Sequence, residues 1–237
     1  MLATLATAGA AATLAAGGYA YAAMWPTSQI FGRAIVGGLD PGEFALTYDD
    51  GPNDPWTLQL LDVLGRHNVR ATFFLIGRFV RQRPEIARAI RAAGHLVGNH
   101  TMSHPMLLFQ SPQKVREELA GCNAAIEDAL GEPVRYFRPP HGARRPDVLR
   151  AARELGLAPV LWNAMGYDWK PTTAEQVLEN LQRGIKRNRR RGMGSNLLLH
   201  DGGQAGIGQD RSHSVAATAR LLEGENQVRY VTVDAWG

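Results

Sequence analysis

The chain has 237 residues, of which 45% are hydrophobic and 20% are charged, with a formal net charge of +4. This length and composition fit one globular domain with a sizeable core and exclude a disordered chain. Cys122 is the only cysteine, which excludes an intrachain disulfide and a cysteine zinc cluster. We expect Cys122 to pack as a small apolar group on a helix.

The basic excess is concentrated where a predicted helix ends, in Arg183, Lys186, Arg187, Arg189, Arg190 and Arg191. A run of this kind can contact anionic lipid, an acidic polymer or nucleic acid. Cations also complement the dipole at the C-terminal end of a helix. Because no aromatic residue is interleaved with the run, we favour a solvated helix end and predict no nucleic-acid partner.

The stretch from Leu2 to Trp25 carries no charged side chain, and its length is near the ~20 residues that cross a bilayer as a helix. Ala20-Tyr21-Ala22 has the form of a signal cleavage site, although no Lys or Arg precedes the apolar run. A membrane anchor, an export signal and a buried terminal helix are therefore the alternatives. We predict an apolar anchor or signal segment plus linker at residues 1–36, with membrane contact through residues 2–25, and a globular domain at 37–237 outside the cytoplasmic membrane.

After a predicted linker at 37–42, short apolar runs alternate with longer helical patterns, which favours a parallel α/β sheet. The predicted strands are Phe44–Thr47, Ala71–Ile76, His95–Gly98, Tyr136–Arg138, Pro159–Trp162, Asn196–Leu199 and Val228–Val233. The predicted helices are Trp56–His67, Pro84–Ala93, Pro112–Leu130, Pro146–Leu155, Thr173–Arg189 and Ser214–Leu222. Ser111 followed by Pro112 fits a helix start, and Gly131 fits a helix stop.

Polar residues follow the ends of these strands, at Asp49-Asp50, Asn99-His100, Arg138-Pro139-Pro140, Asn163 with Asp168, and His200-Asp201. In a β/α barrel the active site is built at the C-terminal ends of the strands, so these segments would converge on one mouth. An open doubly wound sheet is the alternative architecture, and it would gather fewer of them.

The pair His100 and His104, together with one aspartate, is suited to a divalent metal. If the chain coils after the strand, the two rings share one face, with Cβ atoms roughly 5–6 Å apart. Two His and one Asp leave coordination positions open, as in catalytic zinc sites. Asp49 and Asp50 point to opposite faces of a regular strand, so the turn at Gly51-Pro52 decides which one meets the metal.

Each fragment also has a plainer interpretation. Asp49-Asp50-Gly51-Pro52 on its own is typical of a turn, and a lone histidine pair is often a solvated helix face. Two His and one carboxylate also form the facial triad of non-haem iron oxygenases. The alternation of strands and helices argues against that class.

Together the polar segments resemble the motifs of the polysaccharide deacetylases, which carry a NodB-homology domain and form carbohydrate esterase family 4. The matching segments are Thr47–Pro52, His100–His104, Arg138–Gly142, Asp168-Trp169 and Leu197–Asp201. The resemblance runs from Phe44 to the C-terminus and implies a distorted (β/α)7-type barrel, here preceded by an apolar N-terminal helix. This sequence departs from the family pattern at Tyr48, where Phe is usual, at His141, and at Asn163-Ala164-Met165.

The resemblance also implies roles for individual residues. The metal ligands would be Asp50, His100 and His104, and the general base Asp49, which Arg138 would orient. His200 would be the general acid, oriented by Asp168. Pro139, His141 and Trp169 would lie on the substrate or oxyanion side, with a backbone N–H near His141 as a donor. The cofactor would be one divalent ion, with Zn²⁺ expected first and Co²⁺, Ni²⁺ or Fe²⁺ as alternatives.

The expected function is removal of N-acetyl groups from N-acetylglucosamine-containing glycans, of peptidoglycan or chitin type. The family also includes enzymes that remove O-acetyl groups from xylan. The alternative is a deformylase or deacetylase of a lipid-linked amino sugar, or of another small C–N amide. An inactivated, glycan-binding relative is disfavoured because neither a ligand nor the base is missing.

Overall fold

The computed structural model describes residues 16–237, and the first described element is a helix, α1, over residues 16–24. The strands are β1 (Glu43–Gly51), β2 (Thr72–Leu75), β3 (Leu96–Asn99), β4 (Tyr136–Phe137), β5 (Ala158–Pro159), β6 (Ala164–Met165), β7 (Ser195–His200) and β8 (Arg229–Tyr230). The other α-helices are α2 (Trp56–Arg66), α3 (Gly77–Gln82), α4 (Pro84–Ala92), α5 (Pro112–Leu130), α6 (Pro146–Glu154), α7 (Ala174–Arg190) and α8 (Ser212–Gly224). Short 3-10 turns lie at Leu107–Phe109, Pro140–Gly142 and Val233–Trp236.

The strands form one parallel sheet in the order β5-β4-β3-β2-β1-β7-β6, with β8 paired to the beginning of β1. The sheet curls into a half-barrel with helices around it, which confirms the predicted distorted α/β barrel. Because every strand runs in the same direction, the carboxyl ends of the strands share one rim. Asp49 of β1 lies directly beside His200 of β7 at that rim.

Two elements were not predicted from the sequence. The strand β6 has only 2 residues, and the helix α3 has only 6. Each follows closely on a predicted strand, β6 on Pro159–Trp162 and α3 on Ala71–Ile76, so neither has a separate apolar run of its own. The sheet therefore has eight strands where seven were predicted.

The core forms where the sheet meets its surrounding helices. Every residue of β1 is buried, as expected for a strand that is covered on both faces. Helix α5 presents Leu119, Cys122 and Ile126 to this core. Cys122 is fully buried, its thiol lies 3.4 Å from the Leu75 carbonyl oxygen, and burial raises its pKa to about 12. Its predicted place as a packed apolar group on a helix is confirmed.

The predicted ends of α5 are present. The Ser111 hydroxyl accepts a hydrogen bond from the Lys114 amide at 3.1 Å, and Pro112 occupies the first turn. Gly131 ends the helix with a φ of 71°, a conformation that glycine adopts without strain. At the basic end of α7, Arg189 pairs with Glu225 at 2.8 Å.

The hydroxyl of Tyr48, which stands where the family pattern has Phe, has a hydrogen-bond partner. Tyr48 is 0% exposed and its Oη lies 2.9 Å from Thr218 Oγ1. Thr218 donates its own proton to the Ser214 carbonyl, so Tyr48 is the donor of the pair.

We expect Tyr48→Phe to lower the free energy of unfolding by about 1 kcal/mol, measured by urea denaturation. A loss above about 3 kcal/mol would instead indicate disturbed ring packing.

The chain before β1 packs against the rest of the fold. Ala22 and Ala23 are buried, and the buried guanidinium of Arg144 donates hydrogen bonds to the carbonyls of Ala23, Trp25 and Ser28 at 3.5, 2.8 and 2.7 Å.

Within residues 16–237, no helix is long and apolar enough to cross a membrane. The part of the predicted anchor at residues 2–15 lies outside the described residues.

Candidate active site

Three side chains converge at the carboxyl rim of the sheet in a geometry suited to a metal ion. Asp50, His100 and His104 each offer one ligand atom, and these atoms lie within 4.8 Å of one another. The Oδ1 atom of Asp50 lies 3.4 Å from Nε2 of His100 and 3.2 Å from Nε2 of His104. The side chains predicted as ligands are therefore brought together.

The histidines meet through a loop and not through a helical turn, which is where the structure differs from the sequence-based geometry. Thr101 and His104 have positive φ values of 67° and 63°. The loop is held by Asn99, whose Oδ1 accepts from the Thr101 amide at 2.7 Å, and by the Thr101 hydroxyl, which accepts from the His104 amide at 3.0 Å. The two imidazole rings end up with their centroids 5.0 Å apart.

A break in the strand explains how two neighbouring aspartates serve one site. The pairing of β1 with β2 shifts between Asp49 and Gly51, and Asp50 has a φ of 73°. Regular alternation would send the two side chains to opposite faces. With the bulge, Asp49 and Asp50 both line the same cleft, and Asp50 is the one that faces the histidines.

The hydrogen bonds around the three side chains fit a bound cation. His100 Nδ1 lies 2.8 Å from the Arg138 carbonyl, which can only accept, so Nδ1 carries a proton and Nε2 is the ring atom that faces Asp50. Asp50 Oδ1 is buried and makes no hydrogen bond. Burial raises the pKa of Asp50, but the two histidines hold it well below its usual range; burial lowers the pKa of His100, but the Asp49 and Asp50 carboxylates outweigh burial and raise it. A divalent cation between these side chains would supply the positive charge that the buried carboxylate needs.

Asp49 is held by a buried arginine. Arg138 is 0% exposed, and its Nη1 donates to Asp49 Oδ1 and to the Thr47 hydroxyl, both at 2.8 Å. Its Nη2 donates to the Leu161 carbonyl at 3.2 Å and to Asn196 Oδ1 at 3.3 Å. A guanidinium with this many fixed acceptors fixes the plane of the carboxylate it touches.

His200 forms a second acid–base pair with Asp168. The Nδ1 atom of His200 lies 2.8 Å from Asp168 Oδ1, and Asp168 Oδ2 accepts from the His200 amide and the Ser214 hydroxyl at 2.7 Å each. Burial lowers the pKa of His200, but the Asp168 carboxylate outweighs burial and raises it to about 9. The imidazole is therefore protonated at neutral pH, with Nε2 as its remaining donor.

These groups open into a cleft of about 560 Å³, whose walls also include His141, Trp162, Trp169 and Trp25. Trp169 lies against His200 with ring centroids 5.4 Å apart and is 42% exposed. His141 contacts His104 at 4.8 Å between centroids, and burial together with the nearby histidines lowers its pKa. Pro139 does not line the cleft; its carbonyl accepts from the Gly142 amide at 2.9 Å and closes the turn that carries His141.

Sequence reasoning assigned no role to three polar residues that support the site. Asn196 accepts from Arg138 and Thr47, Ser214 donates to Asp168, and Asn99 holds the histidine loop. Asn196 lies in an apolar strand, where a buried amide signals a polar network. Ser214 is on a helix and carries no comparable signal.

Known proteins are similar to this chain in sequence and in fold. A sequence model of the family described as polysaccharide deacetylase matches residues 37–160. A chitooligosaccharide deacetylase of Sinorhizobium fredii is 37% identical over 183 residues, which are 75% of this chain and 82% of that protein. A peptidoglycan-N-acetylglucosamine deacetylase of Bacillus cereus is 36% identical over 193 residues, 80% of this chain and 85% of that protein.

A crystal structure of a peptidoglycan N-acetylglucosamine deacetylase is similar to this fold. It superposes with a TM-score of 0.77 at 30% sequence identity, and the match covers 85% of this chain and 91% of that one. The similarity therefore extends over most of both chains.

Proposed function

Because the chain belongs to the polysaccharide deacetylase family and is a hydrolase, we propose that it removes N-acetyl groups from N-acetylglucosamine-containing glycans of peptidoglycan or chitin type. One observation carries the proposal: a possible metal site, a buried carboxylate clamped by arginine and a protonated histidine share one cleft. Relatives named for chitooligosaccharide and for peptidoglycan substrates support both glycan types.

Asp50, His100 and His104 would hold one divalent cation. Their nitrogen and oxygen ligands suit Zn²⁺ first, with Co²⁺, Ni²⁺ and Fe²⁺ as alternatives. When bound, such an ion supplies a Lewis acid that polarises the amide carbonyl and lowers the pKa of water from 15.7 to about 7.

Asp49 would accept the proton of the attacking water. Its carboxylate is 3% exposed and bonded to Arg138, so it is pre-positioned before substrate arrives. The water oxygen bonds to the carbonyl carbon, and the charge that develops on the carbonyl oxygen needs donors. The bound cation would be one group that stabilises this charge on the oxygen. We assign a backbone N–H near His141 as the second.

His200 would complete the reaction as the general acid. As the C–N bond breaks, its Nε2 donates a proton to the departing nitrogen, and acetate and the free amine leave. Asp168 keeps His200 charged and in a fixed orientation through the 2.8 Å contact with Nδ1. Trp169, which packs on His200, would form part of the sugar-binding wall.

We also propose that the enzyme acts outside the cytoplasmic membrane, anchored or exported through the charge-free segment 2–25, with membrane contact confined to its part before Tyr21, because Ala22, Ala23 and the Trp25 backbone pack on the domain. The support is the charge-free composition of that segment. Fractionation of cells that produce the full chain with a C-terminal tag tests this, and recovery of the tagged chain from the cytoplasmic fraction would contradict it.

The test of the reaction is acetate release by the full chain from N-acetylglucosamine oligomers, peptidoglycan and acetylated xylan. Each substrate is assayed after chelation and again after Zn²⁺ or Co²⁺ is restored. We expect acetate from the two amide substrates only when metal is present. Release from xylan alone would overturn the N-acetyl assignment. No release from folded, metal-loaded protein would favour a lipid-linked amino sugar or another small amide.

A further inference from the structure

One wall of the cleft is formed by residues that precede the first strand. Met24, Trp25 and Pro26 line the same cleft as Asp49 and His200, and they lie before residue 37, at which the polysaccharide deacetylase match begins. Part of the cleft is therefore built by the segment that leads into β1.

Trp25 is exposed within this wall. It is 56% exposed, and its ring stacks on Tyr21, itself 48% exposed, with centroids 6.0 Å apart and an interplanar angle of 21°. Large aromatic side chains are usually buried. A stacked, solvent-facing pair at the mouth of a catalytic cleft presents a flat apolar surface.

The backbone beneath Trp25 is fixed and not loose. Arg144 is 1% exposed, and its guanidinium donates hydrogen bonds to the carbonyls of Ala23, Trp25 and Ser28. Its backbone amide donates to the Ala23 carbonyl at 3.0 Å. No carboxylate is among these partners, and burial lowers the pKa of Arg144 to about 10. Burying a cation in this way is costly unless all its donors are used. The segment is thus tied to the loop that carries His141.

We propose that Trp25, backed by Tyr21, is a sugar-stacking subsite for a glycan that extends from the reacting residue along the cleft. Trp169 is placed beside the acid His200, and Trp25 is tied to the His141 side, so two exposed tryptophans serve different parts of the cleft. The C–H face of a pyranose ring stacks on an aromatic face, and the ring edge of tryptophan keeps a polar donor for hydroxyls. The proposal rests on the proposed function and adds a binding position for a sugar residue away from the amide that is cleaved.

The test is the dependence of KM on chain length. Trp25→Ala in the full, metal-loaded chain is expected to raise KM for N-acetylglucosamine hexamer about tenfold, which corresponds to 1.4 kcal/mol. The rise for the dimer is expected to be smaller, because the proposed subsite binds a sugar residue that lies beyond those of a dimer. Trp25→Phe should recover part of the loss, which separates stacking from misfolding. Phe109→Ala is the matched control, because Phe109 is 82% exposed and does not line the cleft.

Equal KM values for the hexamer in the wild type and in Trp25→Ala would overturn the subsite while leaving the deacetylase assignment intact. Hexamer binding, measured by calorimetry in the Asp49→Asn background, gives an answer that does not depend on turnover. Weaker binding after Trp25→Ala supports the subsite even if no glycan is deacetylated, and unchanged or undetectable binding overturns it. If Trp25→Ala instead reduces only sedimentation with phosphatidylglycerol vesicles, Trp25 contacts lipid and the proposal is wrong.

Discussion

Asp49→Asn is expected to lower kcat about 10²–10⁴-fold while the metal stays bound, and Asp50→Asn to empty the metal site. The two carboxylates are neighbours in sequence and both lie near His100, whose Nε2 is 3.7 Å from Asp49 Oδ2 and 3.4 Å from Asp50 Oδ1, but their other contacts differ. Asp49 bonds to Arg138, and Asp50 faces His100 and His104. Acetate release and metal content per protein, measured on the same preparations, separate the two effects.

The amide keeps the size of each side chain, so the pair of variants is matched. In Asp49→Asn, added metal should not restore turnover, because the proton acceptor is gone. In Asp50→Asn, raised metal concentration should restore part of it. Loss of metal from Asp49→Asn, or full activity in either variant, would contradict the assignment of Asp49 as proton acceptor and Asp50 as metal ligand.

The pH dependence of kcat/KM should report His200. Its pKa is raised to about 9 by Asp168, so the charged, proton-donating form dominates at neutral pH and is lost as pH rises through about 9. We therefore expect kcat/KM to decline on the alkaline side near pH 9. Asp168→Asn removes the charge that holds the pKa up, so the decline should begin at a lower pH.

His200→Ala is the companion variant, with an expected loss of about 10²–10⁴-fold in kcat. A substrate with a leaving group that needs no proton should be much less affected by it, since the acid is then dispensable. If kcat/KM of Asp168→Asn declines at the same alkaline pH as that of the wild type, a group other than His200 controls the decline.

Most of the fold followed from local patterns. The buried runs of β1 and β7 and the long amphipathic helices α5 and α7 are strong signals, because their burial extends over several residues. The strand β6 and the helix α3 escaped prediction because each follows closely on a predicted strand and has no separate apolar run of its own. Tertiary pairing with β7, and not local sequence, defines β6.

The residues that meet in the cleft could be named from the sequence, but the backbone conformation that brings them together could not. His100, His104 and the pair Asp49-Asp50 stand out because polar side chains follow strand ends, and only the family resemblance selected Asp50 over Asp49. The positive φ values at Asp50, Thr101 and His104 depend on tertiary contacts and have no sequence signal such as glycine. The N-terminal wall of the cleft was missed for a similar reason: Trp25 is placed by Arg144, whose side chain is 119 positions away in the chain.

Arg138 contributes three contacts to the site. Its carbonyl accepts a hydrogen bond from His100 Nδ1, its side chain donates to Asp49, and its amide donates to the Asn99 carbonyl at 2.9 Å. Asp49 and His100 are therefore positioned by the same residue. A substitution that shifts the backbone at position 138 would alter metal affinity and turnover together, so the two properties cannot be tuned independently there.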